Sequence, residues 1–175
     1  MVDKTALVII DVQNGLFAIE DFPLYKEDVL IKNIQLLIKK ARNAGVQIFF
    51  IQHNELKGKR LETDSDNWKI NPAIIPRSED IIVQKYNSDS FMNTLLDEEL
   101  KKHKITRLVV AGLMTPMCID TTVRSAVSHG YDVILIQDAH STINTEILKA
   151  PQIIAHHNDI LRSFSDLQKA EELEF

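Results

Sequence analysis

Three side chains capable of hydrolytic chemistry stand at the ends of apolar runs or just beyond them. Asp11 ends the run Ala6–Ile10, Lys85 follows another such run, and Cys118 opens a helix-like segment further along. A thiolate attacks carbonyl carbon, a carboxylate can take the thiol proton, and an ammonium group stabilises the resulting anion. The three residue types therefore predict a cysteine nucleophile, with Asp11 as its base and Lys85 as its electrostatic support.

Each of these residues also has an ordinary structural explanation. Cys118 could be an inert buried thiol, Lys85 a surface lysine and Asp11 a turn cap. We expect instead a Cys118 thiolate of low pKa, because a helix start and a nearby ammonium both favour the anion. Asp11 is the acidic residue that directly ends the first run, which suits a base that later returns its proton to a leaving amine.

The elements that must position these residues follow from the hydrophobic pattern. Runs that are apolar on both faces are typical of a buried parallel sheet, and helical spacing separates them. We therefore predict an α/β three-layer sandwich, in which ligands bind beyond the carboxyl ends of the strands. Predicted strands are Ala6–Ile10, Gln47–Ile51, Asp80–Val83, Arg107–Ala111, Asp132–Ile136 and a short Ile160–Arg162; predicted helices are Val29–Ala44, Ser90–His103, Cys118–His129 and Asn144–His156.

Composition narrows the class of protein. The 175 residues fit one domain, 1–175, with no run of about 18 apolar residues that would span a membrane. A net charge of −5 argues against a nucleic-acid partner. The single cysteine excludes an intrachain disulfide, and the N-terminus has no signal-peptide pattern, so we expect a cytoplasmic location.

One long polar segment, residues 52–78, interrupts the alternation of strands and helices. It contains Trp68 and two prolines. A loop of this length in a compact domain is usually functional, for example as a lid or a pocket wall. The alternative is a disordered excursion, which would leave Trp68 in solvent.

The motifs resemble those of the isochorismatase-like cysteine hydrolases, which include nicotinamidases and N-carbamoylsarcosine amidohydrolases. The resemblance covers Leu7 to about Ser163. Its most specific part is the Gly-x-x-Thr-x-x-Cys stretch that continues into Asp-Thr-Thr-Val-Arg; Asp-x-Gln at Asp11 alone is weak. The matching segments are Val8–Gln13, Lys85 with Phe91 and Thr94, and Ala111–Ala126.

The resemblance implies a six-stranded parallel sheet in the order 3-2-1-4-5-6 and a catalytic triad of Asp11, Lys85 and Cys118. It implies a cis peptide at Leu113–Met114, which aims the backbone amide of Met114, with that of Cys118, at a developing oxyanion. It also implies a homo-oligomer, dimer or tetramer, and no cofactor.

Further residues are candidates for the substrate pocket. Phe17, Trp68 and Met117 are possible apolar walls, His140 faces the same edge of the sheet, and Gln13 can bond Asp11 or the substrate. Nicotinamidases of the family carry an Asp-x-His…His metal site after the second strand, but His53 begins a loop without that spacing. We therefore predict no metal site.

The residues together predict cleavage of a C–N bond, amide or urea-like, in a small molecule through a Cys118 thioester. One alternative is vinyl-ether hydrolysis of the isochorismatase type, which needs no cysteine nucleophile. Another is a catalytically silent binding protein on the same fold. The presence of Asp11, Lys85 and Cys118 together disfavours both.

Overall fold

A computed structural model describes residues 4–19 and 22–175 of the chain. The strands are β1 Thr5–Ile10, β2 Gln47–His53, β3 Ile81–Lys85, β4 Arg107–Leu113, β5 Asp132–Ser141 and β6 Asp166–Gln168. The helices are α1 Asn14–Phe17, α2 Glu27–Asn43, α3 Leu96–Lys102, α4 Asp120–Ser128 and α5 Ala150–Leu161, with a 3₁₀ turn at Pro72–Ile74 and a π-helical turn at Thr115–Ile119.

The six strands form one parallel sheet in the order β3-β2-β1-β4-β5-β6, which confirms the predicted topology. Side chains of β1 alternate between two cores, as the period of a strand requires. Leu7 and Ile9 pack with α2 on one face, whereas Val8 and Ile10 pack with α3, α4 and the end of α5 on the other. Helices thus cover both faces, and β1 and β4 are neighbours at the centre of the sheet.

Several elements differ from the sequence prediction. The helix predicted at Asn144–His156 is α5, Ala150–Leu161, and the helix predicted from Cys118 begins at Asp120, after a π-helical turn. The predicted strand Ile160–Arg162 is wrong: Ile160 and Leu161 end α5, and the sixth strand is Asp166–Gln168. A short apolar run suits a helix end as well as a strand, and here the buried Leu161 joins the core from a helix.

The predicted helix Ser90–His103 is shorter at its start. It begins only at Leu96, because Thr94 Oγ1 donates to Ser90 O at 2.6 Å and Asn93 has a positive φ of 56°. The side-chain hydrogen bond and the left-handed residue both favour turns over helix in this stretch.

The long segment after β2 is hydrogen-bonded to the chain that follows β1. Asn14 N donates to Lys69 O at 3.0 Å, and Gly15 N donates to Asn67 O at 2.8 Å. Gly15 leaves no room for a side chain, since a Cβ there would lie 2.9 Å from Leu61 Cδ2. The segment therefore forms a packed wall beside the end of β1.

Within the described residues, no helix combines the length and apolar character needed to cross a membrane. Assignment of residues 1–175 to a single domain stays a prediction, and its first residues lie outside the described part of the chain.

Candidate active site

Asp11 is held in an unusual backbone conformation immediately after β1. Its φ is 52°, in the left-handed region, which costs a non-glycine residue about 1–2 kcal/mol. The side chain is buried, and its backbone N–H donates to Ile51 O at 2.9 Å, so the neighbouring strand fixes the turn. A strained, buried carboxylate at the carboxyl edge of a sheet is typical of a functional position.

Gly112 brings the chain that carries the cysteine close to β1. It pairs with Ile10 and has a φ of 125°. A Cβ at this position would lie 2.1 Å from Ile10 O, so only glycine allows the two strands to approach this closely. The peptide Leu113–Met114 that follows is cis, as the resemblance implied.

Cys118 lies in the π-helical turn Thr115–Ile119 that leads into α4. Such turns are rare in proteins, and those that occur often lie at functional sites. The thiol is half-buried, and the residue packs against the core beneath α4. The turn therefore presents a reactive side chain at the same sheet edge as Asp11.

Lys85 brings the groups together from β3, two strands from β1. Its side chain is completely buried, and its Nζ lies 2.8 Å from Asp11 Oδ2 and 3.1 Å from Cys118 Sγ. It also donates to Asn87 O at 3.0 Å and lies 3.2 Å from His53 Nδ1. The ammonium group thus contacts every other polar side chain of the site described so far.

The prediction of a low thiol pKa is wrong for this resting arrangement. Burial, and after it the Asp11 carboxylate, raise the pKa of Cys118 to about 12, although Lys85 acts in the opposite direction. The ion pair with Asp11 offsets much of the help that Lys85 would give an anion. Cys118 is therefore a thiol at neutral pH, and attack requires a base at the moment of reaction.

Asp11 has an oxygen available for that role. Its Oδ2 is bound to Lys85, whereas Oδ1 is buried without a hydrogen-bond partner in the described chain. A buried acceptor left unpaired is costly, and a catalytic role is one explanation for such a group. A carboxylate oxygen of Asp11 and Cys118 Sγ lie within 4.8 Å of each other.

Gln13 is completely buried, and its amide group bonds the protein rather than facing an open pocket. Its Nε2 donates to His53 O at 2.9 Å and Trp68 O at 2.7 Å, and its Oε1 accepts from His53 N at 2.8 Å. Trp68 is half-buried and donates from Nε1 to Asn54 Oδ1 at 2.8 Å. Gln13 therefore fixes the backbone on either side of the site.

His140 lies beneath the turn that carries the cysteine. Its Nδ1 is 2.8 Å from Thr115 Oγ1, and its Nε2 is 2.9 Å from Asn158 Oδ1. Because Asn158 Oδ1 can only accept, Nε2 carries the proton and Nδ1 accepts from the Thr115 hydroxyl. Burial lowers the pKa of His140 to about 4. The neutral ring thus supports the turn with both nitrogens in use.

The remaining pocket candidates differ in exposure. Phe17 is half-buried and packs on the core beside α2. Met117, next to the cysteine, is 51% exposed and therefore faces solvent more than Phe17 does.

Metal ligation has one candidate group among the described residues. Ligand atoms of Asp11, His53 and Cys118 all lie within 4.8 Å of one another. Lys85 Nζ, however, is within 3.2 Å of an atom of each. A buried cation already fills the space between these ligands, so a metal ion would have to displace it.

Sequence reasoning missed the role of His53 and of the Asn87 carbonyl around Lys85. His53 is the partner of Lys85 in the register of β2 and β3. Aligning the ends of two predicted strands places His53 beside Lys85, whereas the loop spacing after His53 bears only on metal ligation.

Comparison with known proteins assigns the chain to a family. An isochorismatase domain model matches residues 5–151. The isochorismatase family protein YddQ of Bacillus subtilis (strain 168) is 33% identical over 82% of this chain and 81% of its own length. The ureidoacrylate amidohydrolase RutB of Acinetobacter baylyi is 25% identical over 78% of this chain and 70% of its own.

A solved structure shows the same fold. An isochorismatase from Pseudomonas putida KT2440 superposes with a TM-score of 0.91 at 27% identity, covering 97% of this chain and 89% of that one. The fold, the motif and the matching domain model agree: this chain belongs to the isochorismatase family of hydrolases.

Proposed function

We propose that the protein is a cysteine amidohydrolase that cleaves a C–N bond of a small amide or urea-like compound with Asp11, Lys85 and Cys118 as its triad. The observation that carries the proposal is that the two carboxylate oxygens of Asp11 have different surroundings. One carboxylate oxygen is bound to Lys85 at 2.8 Å, the other is buried and unpaired, and a carboxylate oxygen of Asp11 lies within 4.8 Å of Cys118 Sγ. RutB, a relative, is named as an amidohydrolase, which supports C–N cleavage.

The chemistry follows from these positions. Asp11 Oδ1 takes the proton from Cys118 Sγ, and the thiolate, now paired with Lys85, attacks the carbonyl carbon. The backbone amides of Met114 and Cys118 hold the oxyanion. Asp11 returns the proton to the nitrogen as the C–N bond breaks, leaving a thioester. Asp11 then takes a proton from water, the hydroxyl adds to the thioester carbon, and the thiol leaves with that proton.

The substrate is small and carries an apolar part. Phe17, Trp68 and Met117 are the proposed apolar walls; Phe17 and Trp68 are half-buried, and Met117 is exposed. His140 belongs to the pocket only through Thr115, because both of its ring nitrogens are already bonded within the protein. Gln13 contributes by holding His53 and Trp68.

The test is a panel of small amides, ureas and carboxylated analogues, assayed by ammonia or amine release. A substrate should give a transient increase in the mass of the intact chain that corresponds to one acyl group on Cys118, the single cysteine. Amine release without an acylated chain, under rapid quench at saturating substrate, would contradict the thioester route.

We expect catalysis to be independent of metal. Lys85 Nζ lies between the side chains of Asp11, His53 and Cys118, and a second cation there would be repelled. Exhaustive chelation should leave kcat/KM unchanged, with the metal content of the protein measured in parallel. Loss of most activity on chelation, restored by zinc or manganese, would contradict this prediction.

A homo-oligomer, dimer or tetramer, stays a prediction from family resemblance. Light scattering at micromolar concentration should give a mass of a multiple of the 20.0 kDa chain. A particle of one chain mass would refute it.

A further inference from the structure

His53 makes a contact that the proposed triad chemistry does not use. Its Nδ1 lies 3.2 Å from Lys85 Nζ, at the carboxyl ends of the paired strands β2 and β3. A lysine ammonium can only donate, so Nδ1 must accept and the ring proton is on Nε2. Burial, followed by the charge of Lys85, lowers the pKa of His53, so the ring is neutral near pH 7.

The Lys85 ammonium has more neighbours than hydrogens. It carries three N–H groups, and four atoms surround it: Asp11 Oδ2, Asn87 O, Cys118 Sγ and His53 Nδ1. A neutral thiol sulfur is the weakest acceptor of the four. The three hydrogens are therefore shared among four acceptors, and the three stronger ones, Asp11, Asn87 and His53, fix the position of Nζ beside Sγ.

The imidazole is itself held firmly in place. Gln13 bonds both the N–H and the carbonyl of His53, at 2.8 and 2.9 Å, and the next residue, Asn54, donates from its backbone to Lys85 O at 2.8 Å. These hydrogen bonds fix the backbone of His53 on both sides, which a histidine exposed at the surface would not require. The arrangement suits a side chain whose ring must stay at a set distance from Nζ.

We infer that His53 is a positioning residue, whose Nδ1 accepts one Lys85 hydrogen and so holds the ammonium against Cys118 Sγ. The inference rests on the proposed function, in which the Lys85 charge stabilises the thiolate. Without His53, the two strong acceptors that remain, Asp11 Oδ2 and Asn87 O, draw Nζ toward themselves and away from the weaker acceptor Sγ. Among the described residues, the titratable groups facing His53 are Lys85, Asp11, Glu55 and Cys118.

The experiment measures alkylation of Cys118 by iodoacetamide, which needs no substrate and reports on one thiol only because the chain has a single cysteine. His53→Leu keeps much of the volume and removes the acceptor. His53→Asn restores an acceptor oxygen near the position of Nδ1. Since Lys85 lowers the pKa of Cys118, its displacement should raise that pKa. A rise of about one unit would lower the rate about tenfold at every pH below the pKa.

We expect His53→Leu to react about tenfold more slowly than the wild-type protein at pH 8, and His53→Asn within about threefold of it. Thermal unfolding of both variants confirms that they are folded. Equal rates for all three proteins, or an equal loss in both variants, would overturn the inference. Failure of the wild-type protein to hydrolyse any amide would contradict the proposed function and leave the alkylation result standing on its own.

Discussion

Cys118→Ser should lose hydrolytic activity by a factor on the order of 10⁴ or more in kcat. Serine has nearly the shape of cysteine, but its hydroxyl is a much poorer nucleophile, and Asp11 is positioned for a thiol. The measurement is single-turnover amine release with the best substrate from the panel, together with the mass of the intact chain. No acylated chain should form in the variant.

The outcome also separates the proposed reaction from its rival. Vinyl-ether hydrolysis needs no cysteine nucleophile, so activity on such a compound would survive Cys118→Ser. Cys118 is half-buried on a packed turn, so circular dichroism and thermal unfolding of the variant are needed to show an unchanged fold. Amine release at more than about a tenth of the wild-type rate by a folded variant would refute the thioester.

Asp11→Asn should separate catalysis from thiol reactivity, because the two effects have opposite signs. Loss of the base lowers kcat by about 10²–10⁴-fold. The Asp11 charge, however, raises the pKa of Cys118, so its removal lowers that pKa and increases the thiolate fraction. Alkylation by iodoacetamide at pH 8 should therefore be faster in the variant than in the wild-type protein, while amide turnover nearly disappears.

Asp120→Asn provides the matched control for this pair of measurements. Asp120 begins α4, two residues after the cysteine, and pairs with Arg124 at 3.0 Å. It has the same charge as Asp11 but is not among the groups that shift the Cys118 pKa. Its alkylation rate should match that of the wild-type protein.

Folding of Asp11→Asn must also be measured. Removing one partner of a buried ion pair costs roughly 3–5 kcal/mol, so its unfolding is followed at the assay temperature. A folded variant whose thiol reacts more slowly than the wild type would show that Asp11 does not oppose the thiolate.

Much of this site could be predicted from the sequence. Runs apolar on both faces indicated parallel strands, and the carboxyl ends of parallel strands meet at one edge of a sheet. That alone predicted that Asp11, Lys85 and Cys118 would converge. The resemblance added the strand order, which the structure confirms, and the cis peptide at Leu113–Met114.

Short apolar runs were less informative. The run Ile160–Arg162 predicts the sixth strand, which the structure has at Asp166–Gln168, because so short an apolar run fits either a strand or the last turn of a helix. Only packing against the sheet decides between them.

The sequence by itself determined which reactive residues lie at the same edge of the sheet. The periodicity of apolar residues and the order of the segments can both be read along the chain. Only the tertiary structure decided their protonation and their partners. The thiol pKa depends on burial and on two charges from other strands, and it came out opposite to the prediction. His53 and Gln13 acquired their roles through hydrogen bonds between residues distant along the chain. Such terms depend on distances of a few ångströms across strands, which no spacing along the chain encodes.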